Sequence, residues 1–175
     1  MGWYPNASEG SLGRSYRFFT GEPQFPFGFG LSFTTFGYSN LSTPISRYNP
    51  CDTIDVSVTV TNTGLVDSDE VVQVYITQPN ATVPTPTIRL AGFERIHLKS
   101  KQSRTVTVAL LPETHAVVRD GEASGDAIYS ASASQFLEKG ALQIFAGGGQ
   151  PGHFKGCVSV AVQIAHDAAL ATCGQ

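Results

Sequence analysis

No apolar run in the chain approaches the roughly twenty residues that a membrane-spanning helix needs, so the sequence encodes no such helix. Charge is also scarce: Asp, Glu, Lys and Arg make up 14% of the residues, the formal net charge is −3, and the 11 basic residues are scattered. That excludes the basic patch by which proteins hold nucleic acid or an anionic membrane. The opening residues, MGWYPNASEG, have neither a basic region nor an apolar core, so they encode no secretory signal. Cysteines number three, Cys51, Cys157 and Cys173, without metal-ligand spacing. The four histidines, His97, His115, His153 and His166, share no ligand spacing either, which points to surface or edge positions rather than a zinc site. Gly147 to Gly149 lack the lysine and Ser/Thr of a phosphate loop and read as a turn. No cofactor is expected.

What is present is alternation. From Ile54 the apolar residues fall on every second position, Ile54, Val56, Val58 and Val60, with Asp55, Ser57, Thr59 and Thr61 between them. One face of such a strand lies in a core and the other in water. Asn62-Thr63-Gly64 breaks the run, Asp67-Ser68-Asp69 keeps the connection polar, and Val71 to Ile76 resumes as a strand. This reads as a central hairpin. Its second arm is apolar on both faces, through Val71 and Tyr75 as well as Val72, Val74 and Ile76, so it is expected to be more covered than its neighbour.

Further strands are expected over Phe36 to Ser42, over Ile88 to Leu98 with a bulge at Gly92, and over Thr105 to Leu111. A short piece is expected at His115 to Val118, and a last pair at Gly140 to Ala146 and Cys157 to Ile164. Residues 78 to 87 contain three prolines and read as an exposed loop. Residues 121 to 135 are small, polar and rich in Ala and Ser, a mobile loop. Seven or so short strands with turns between them predict an antiparallel all-β sandwich. At 175 residues and 41% hydrophobic, the chain suffices for one such domain with a real core.

The first 38 residues differ in kind. They hold 11 of the 18 aromatic residues, interrupted by Gly and Pro, with neither helical nor strand periodicity. Leaving most of those rings wet would forfeit about 1.5 to 3 kcal/mol each. The segment is therefore expected to lie across a surface, partly on the sandwich and partly on something else.

Two stretches carry a family resemblance. The run VTVTNTGLVDSDEVVQVYITQP, followed by Ile88 to Ile96 with its GFER segment, resembles the fibronectin type III-like domain that closes many glycoside hydrolase family 3 enzymes, β-glucosidases and β-xylosidases. Gly13-Arg14-Ser15-Tyr16-Arg17-Phe18-Phe19, then Phe25-Pro26-Phe27-Gly28-Phe29-Gly30-Leu31-Ser32-Phe33-Thr34-Thr35-Phe36, is similar to the end of the α/β sandwich domain and its linker in β-xylosidases of that family. The resemblance implies a linker and α/β remnant over residues 1 to 35, a fibronectin type III-like sandwich over 36 to 166, and a tail over 167 to 175. It also implies that the partners are the missing upstream α/β and barrel domains, and that the location is extracellular.

Chemistry is hard to find in these residues. Glycoside hydrolysis commonly needs two carboxyl groups flanking the scissile bond, and the resemblance places both upstream of this linker, so the chain alone is expected to be inactive. Asp67, Asp69 and Glu70 form the densest acidic group, which reads as solvated turn acids rather than a calcium loop. Arg14, Tyr16 and Arg17 are the one cluster to consider for sugar contact, against an anchoring role in which the arginines pair with carboxylates. Cys51 and Cys157 can bridge if the ends carrying them are neighbours; the alternative is free, buried cysteines. Asn6, Asn40 and Asn80 each open a glycosylation sequon. The alternative function is an independent secreted module that binds carbohydrate or protein. The aromatics beyond residue 38, Tyr48, Tyr75, Phe93, Tyr129, Phe136, Phe145 and Phe154, do not align into a stacking platform.

Overall fold

The computed structural model describes residues 4–119 and 134–173. Alternating β-branched residues form the body. A three-stranded sheet runs in the order β1 (Phe36–Ser42), β3 (Ile54–Asn62), β6 (Ser103–Leu110). A five-stranded sheet contains β2 (Arg47–Tyr48), β10 (Val158–Ile164), β9 (Gly140–Gly147), β4 (Ser68–Thr77) and β5 (Arg89–Leu98), in that order. Only the β2–β10 pair within these sheets is parallel. A small third sheet joins β11 (Ala168–Ala169), β8 (Ser134–Leu137) and β7 (Val117–Arg119).

The two larger sheets close on one core. Ile54, Val56, Val58, Val60, Val106, Val108 and Leu110 meet Val72, Val74, Ile76, Ile96, Leu98, Leu142, Ile144, Val162 and Ile164 across the gap. On the outer face of the smaller sheet the hydroxyls pair across strands, Ser57 with Thr107 at 2.8 Å and Thr61 with Ser103 at 2.7 Å, a cross-strand contact that suits a wet face. The all-β sandwich is as the sequence predicts.

The predicted hairpin is not there. β3 pairs with β1 and β6, whereas β4 pairs with β5 and β9. The apolar faces of β3 and β4 look at each other across the core instead of lying side by side. Residues 62 to 67 are a corner between sheets, held by the wholly buried Asn62. The expected heavier covering of β4 holds at Tyr75, buried on the outer face together with Gln73, but not at Val71, which is 40% exposed on that face.

The bulge in β5 lies where Val74 pairs with Gly92 but Tyr75 pairs with Leu90, leaving Ala91 over. Gly92 is required by close approach, because a Cβ there would come within 2.6 Å of Val108 Cγ1 in the facing sheet. Most of the expected loop over 121 to 135 lies outside the described residues, although Ser134 and Gln135 belong to β8. The expected tail is tied to the body by β11 and by a disulfide from Cys51 to Cys173, whose Cα atoms are 5.2 Å apart. That corrects the pairing of Cys51 with Cys157. Cys157 stays a free thiol in the turn after β9, its Sγ beside Gly149 O at 3.5 Å, because the chain's end, not β10, comes to Cys51.

Candidate functional site

The outer face of the five-stranded sheet is where the aromatic segment lies. A single helical turn, α1 (Ser15–Phe18), sits on the start of β5. Thr87 N donates to Arg17 O at 2.7 Å, and Leu90 N donates to Tyr16 Oη at 3.1 Å. The Tyr16 ring stacks on Phe27, with centroids 3.9 Å apart and planes 11° from parallel. Phe27 in turn pairs through its backbone with Gln150: Phe27 N donates to Gln150 Oε1 and Gln150 N to Phe27 O, both at 3.2 Å.

Gln73 is the second clamp. Its Nε2 donates to Gly28 O and to Gly148 O, each at 3.2 Å, while its Oε1 accepts from Tyr75 Oη at 2.6 Å. Gly28 is needed at this crossing, since it has φ 75° and a Cβ would lie 2.1 Å from Gln73 Oε1. Once Phe27 and Gly28 are fixed, the rest of the motif projects outward: Phe25 is 66% exposed, Leu31 91% and Phe33 97%.

Between this segment and β4 runs a groove of ≈ 580 Å³, lined by Phe29, Leu31, Phe36, Val71 and Phe154 and by the polar groups of Asp69, Glu70 and Gln73. Glu70 accepts from Tyr38 Oη at 2.5 Å, and burial raises its carboxyl above the ordinary range. Burial likewise drives the Tyr38 phenol upward, with Glu70 adding to the effect. Asp69 accepts from Arg95 Nη2 at 2.6 Å and lies 2.7 Å from His97 Nδ1. Its hydrogen bonds to His97 and Arg95 hold it below the ordinary carboxylate range. As neighbours in one strand, Asp69 and Glu70 leave the backbone on opposite faces, yet both line this groove, Asp69 held by Arg95 and His97 and Glu70 by Tyr38. Asp67 accepts from Ser100 N at 2.7 Å. Each of the three acids is thus taken up by its own partners, and among the described residues no group of three or more His, Cys, Asp or Glu could hold a metal ion.

Of the sequence-selected cluster, Tyr16 is built into the segment, while Arg14 and Arg17 are exposed. The expected arginine–carboxylate pairing is absent among the described residues. His97, His153 and His166 lie at the surface, but His115 does not: it is 0% exposed, with neither ring nitrogen bonded. The cause is the turn Pro112–His115, which tucks the ring inward before β7. Asn6, Asn40 and Asn80 are exposed, with Asn6 Oδ1 taken up by Ser8 N at 3.1 Å. Tyr48 and Tyr75 are buried, Phe93 is exposed, and Tyr129 lies outside the described residues. Sequence reasoning missed Gln73 and Gln150; the one signal was a lone amide amid the apolar run of β4.

Residues 70–148 match the Fn3-like family, the fibronectin type III-like domain. A β-xylosidase of Formosa agariphila is 46% identical over 101 residues, covering 58% of this chain and 14% of that protein. Among solved structures, a β-glucosidase from Erythrobacter marinus matches with a TM-score of 0.71 and 28% identity, covering 93% of this chain and 19% of that one. The Bifidobacterium adolescentis GH3 β-glucosidase matches with a TM-score of 0.64 and 28% identity, over 79% of this chain and 18% of that one. The chain therefore spans less than a fifth of the length of these relatives.

Proposed function

We infer that this chain, which carries a fibronectin type III-like domain, is the accessory C-terminal part of a family 3 glycoside hydrolase of β-xylosidase or β-glucosidase type. It stabilises and positions catalytic domains that lie elsewhere in the parent enzyme. The observation that carries this reading is the aromatic segment: its backbone is pinned to the sheet by Gln73 and Gln150, yet Phe25, Leu31 and Phe33 are held out into solvent. Apolar groups fixed outward on a rigid base mark an interaction surface. The disulfide between Cys51 and Cys173 supports an oxidising, extracellular location, and the three exposed sequons matter only where the chain is secreted by a eukaryote.

The test is to incubate the purified chain with aryl β-xyloside and aryl β-glucoside, alone and mixed with the upstream portion of the parent. No turnover is expected alone, and tight association on mixing. Turnover by the chain alone that Glu70→Gln abolishes would overturn the reading. The groove beside Phe29 and Phe154 favours one rival, a polysaccharide-binding module. Retardation of the chain in xylan or β-glucan gels would support that rival, and unretarded migration the accessory role.

A further inference from the structure

Positive charge gathers at the start of β5, where among the described residues the guanidiniums of Arg17 and Arg89 have no ion-pair partner and Glu113 acts on neighbouring His115. Arg89 is partly buried, and its two hydrogen bonds go to neutral acceptors: Nη1 donates to Ala116 O at 3.1 Å and Nη2 to Gln78 Oε1 at 3.2 Å. Burial first, and then the charge of nearby Arg17, hold this guanidinium down to about 10. The backbone at Arg17 is held here, because its own carbonyl and the Tyr16 hydroxyl both bind the Thr87 to Leu90 stretch. His115 adds a wholly buried imidazole with neither nitrogen bonded, close enough to Arg89 to feel its charge, and its backbone oxygen accepts from Gln78 Nε2 at 3.0 Å. Among the described residues no carboxylate lies within ion-pair distance of Arg17 or Arg89.

A partly desolvated cation such as Arg89, with a second guanidinium near it, is costly unless an anion joins them, and the guanidinium fork matches a carboxylate held by two parallel hydrogen bonds. The two exposed or half-exposed guanidiniums keep most of their N–H donors free for such a group. Their position also names the source. Arg17 belongs to the same aromatic segment, and Phe27, whose ring stacks on Tyr16, lies two residues from the outward Phe25, so whatever covers Phe25 passes next to α1. We propose that Arg17 and Arg89 together clamp one acidic side chain of the catalytic part of the parent enzyme, making this corner the charged register point of an otherwise apolar interface. The proposal rests on the accessory reading above.

Two measurements test it separately. First, thermal unfolding of the isolated chain is followed at pH 7 in sodium acetate against sodium chloride at equal ionic strength. A saturable rise in Tm confined to acetate is expected, lost in Arg17→Gln and in Arg89→Gln and partly kept in Arg17→Lys. Equal Tm in the two salts overturns the clamp. Arg17 is exposed, so its variant keeps the test valid even where Arg89→Gln folds poorly. Second, the chain is titrated into the upstream portion of the parent. Each glutamine variant should bind about tenfold or more weakly, with a flatter salt dependence; binding equal to wild type at all salt concentrations overturns the clamp while sparing the accessory role. A wild-type chain that fails to bind the upstream portion overturns the accessory role and the clamp's acidic partner together, and the acetate series then reports only on an anion site.

Discussion

The side chain of Asn62 is wholly buried and uses both ends of its amide. Nδ2 donates to Val66 O at 2.8 Å and Leu98 O at 3.2 Å, while Oδ1 accepts from Thr34 Oγ1 at 2.7 Å and Gly64 N at 3.1 Å. It joins the aromatic segment, the corner between sheets and the end of β5. Asn62→Ala strands several of these groups, so a loss of about 2 to 4 kcal/mol is expected in urea unfolding; a loss below about 0.5 kcal/mol would show that water replaces the amide. His115 makes a different prediction. Burial, then Arg89, hold its imidazole down from 6.5 to about 4, and Glu113 opposes them weakly. Between these values the unfolded chain takes up a proton that the folded one refuses, so stability is full above pH 6.5 and falls as the pH drops toward 4. The full difference is about 3 kcal/mol. Asp69, lowered from 3.8, acts in the same sense only at lower pH, whereas Glu70, raised by burial, acts in the opposite sense. Replacing His115 by Gln should flatten the slope of the urea midpoint between pH 7 and 4.5; an unchanged slope would assign it to other groups.

At the scale of elements, the disulfide closes a loop of sequence separation 122 between Cys51, three residues before β3 begins, and Cys173. Chain-entropy arguments give such a loop about 2 to 5 kcal/mol. Cys51→Ser or Cys173→Ser should therefore lower the Tm by several degrees, and reductant should do the same to the wild type. Cys157→Ser should change it little, and alkylation of the unfolded, unreduced chain should label Cys157 alone. An undiminished Tm in Cys173→Ser would mean that the terminal segment is held by β11 without the bridge. The same elements show what a sequence can convey. Alternation in β3, β6 and β10 gives the strand, its limits within a residue or two and its buried face. It does not give the neighbour, because Ile54 to Val60 would bury the same face in a hairpin or across a sandwich. The choice fell to the corner at Asn62, whose partners Thr34 and Leu98 are 28 and 36 residues away. Two-residue strands such as β2 and β11 have too few residues to show any period, and Cys173 sits in a segment with no local signal at all.

For the whole molecule, the surplus of rings in the first 38 residues already says that something must cover them, but the division into docked and outward rings is invisible locally. It depends on Gln73 and Gln150, which reach the segment from 45 and 123 residues away. The division is testable because the two sets of rings differ in what they touch. Tyr16 and Phe27 stack on each other above the sheet, so Phe27→Ala should loosen the segment and open it to limited proteolysis between residues 20 and 35. Phe25 and Phe33 touch solvent for most of their surface, so replacing both by Ser should leave the urea midpoint of the sandwich within about 0.5 kcal/mol of wild type. The same double variant should bind less of a hydrophobic dye, lose any concentration-dependent self-association, and associate much more weakly with the upstream portion of the parent. The decisive pattern is the combination. A ring that supports the sandwich lowers its stability when removed, whereas a ring held ready for a neighbour leaves stability alone and removes only the association. Loss of stability in the Phe25→Ser, Phe33→Ser chain, with its association intact, would place those rings in this molecule's own fold and take away the surface on which the accessory role depends.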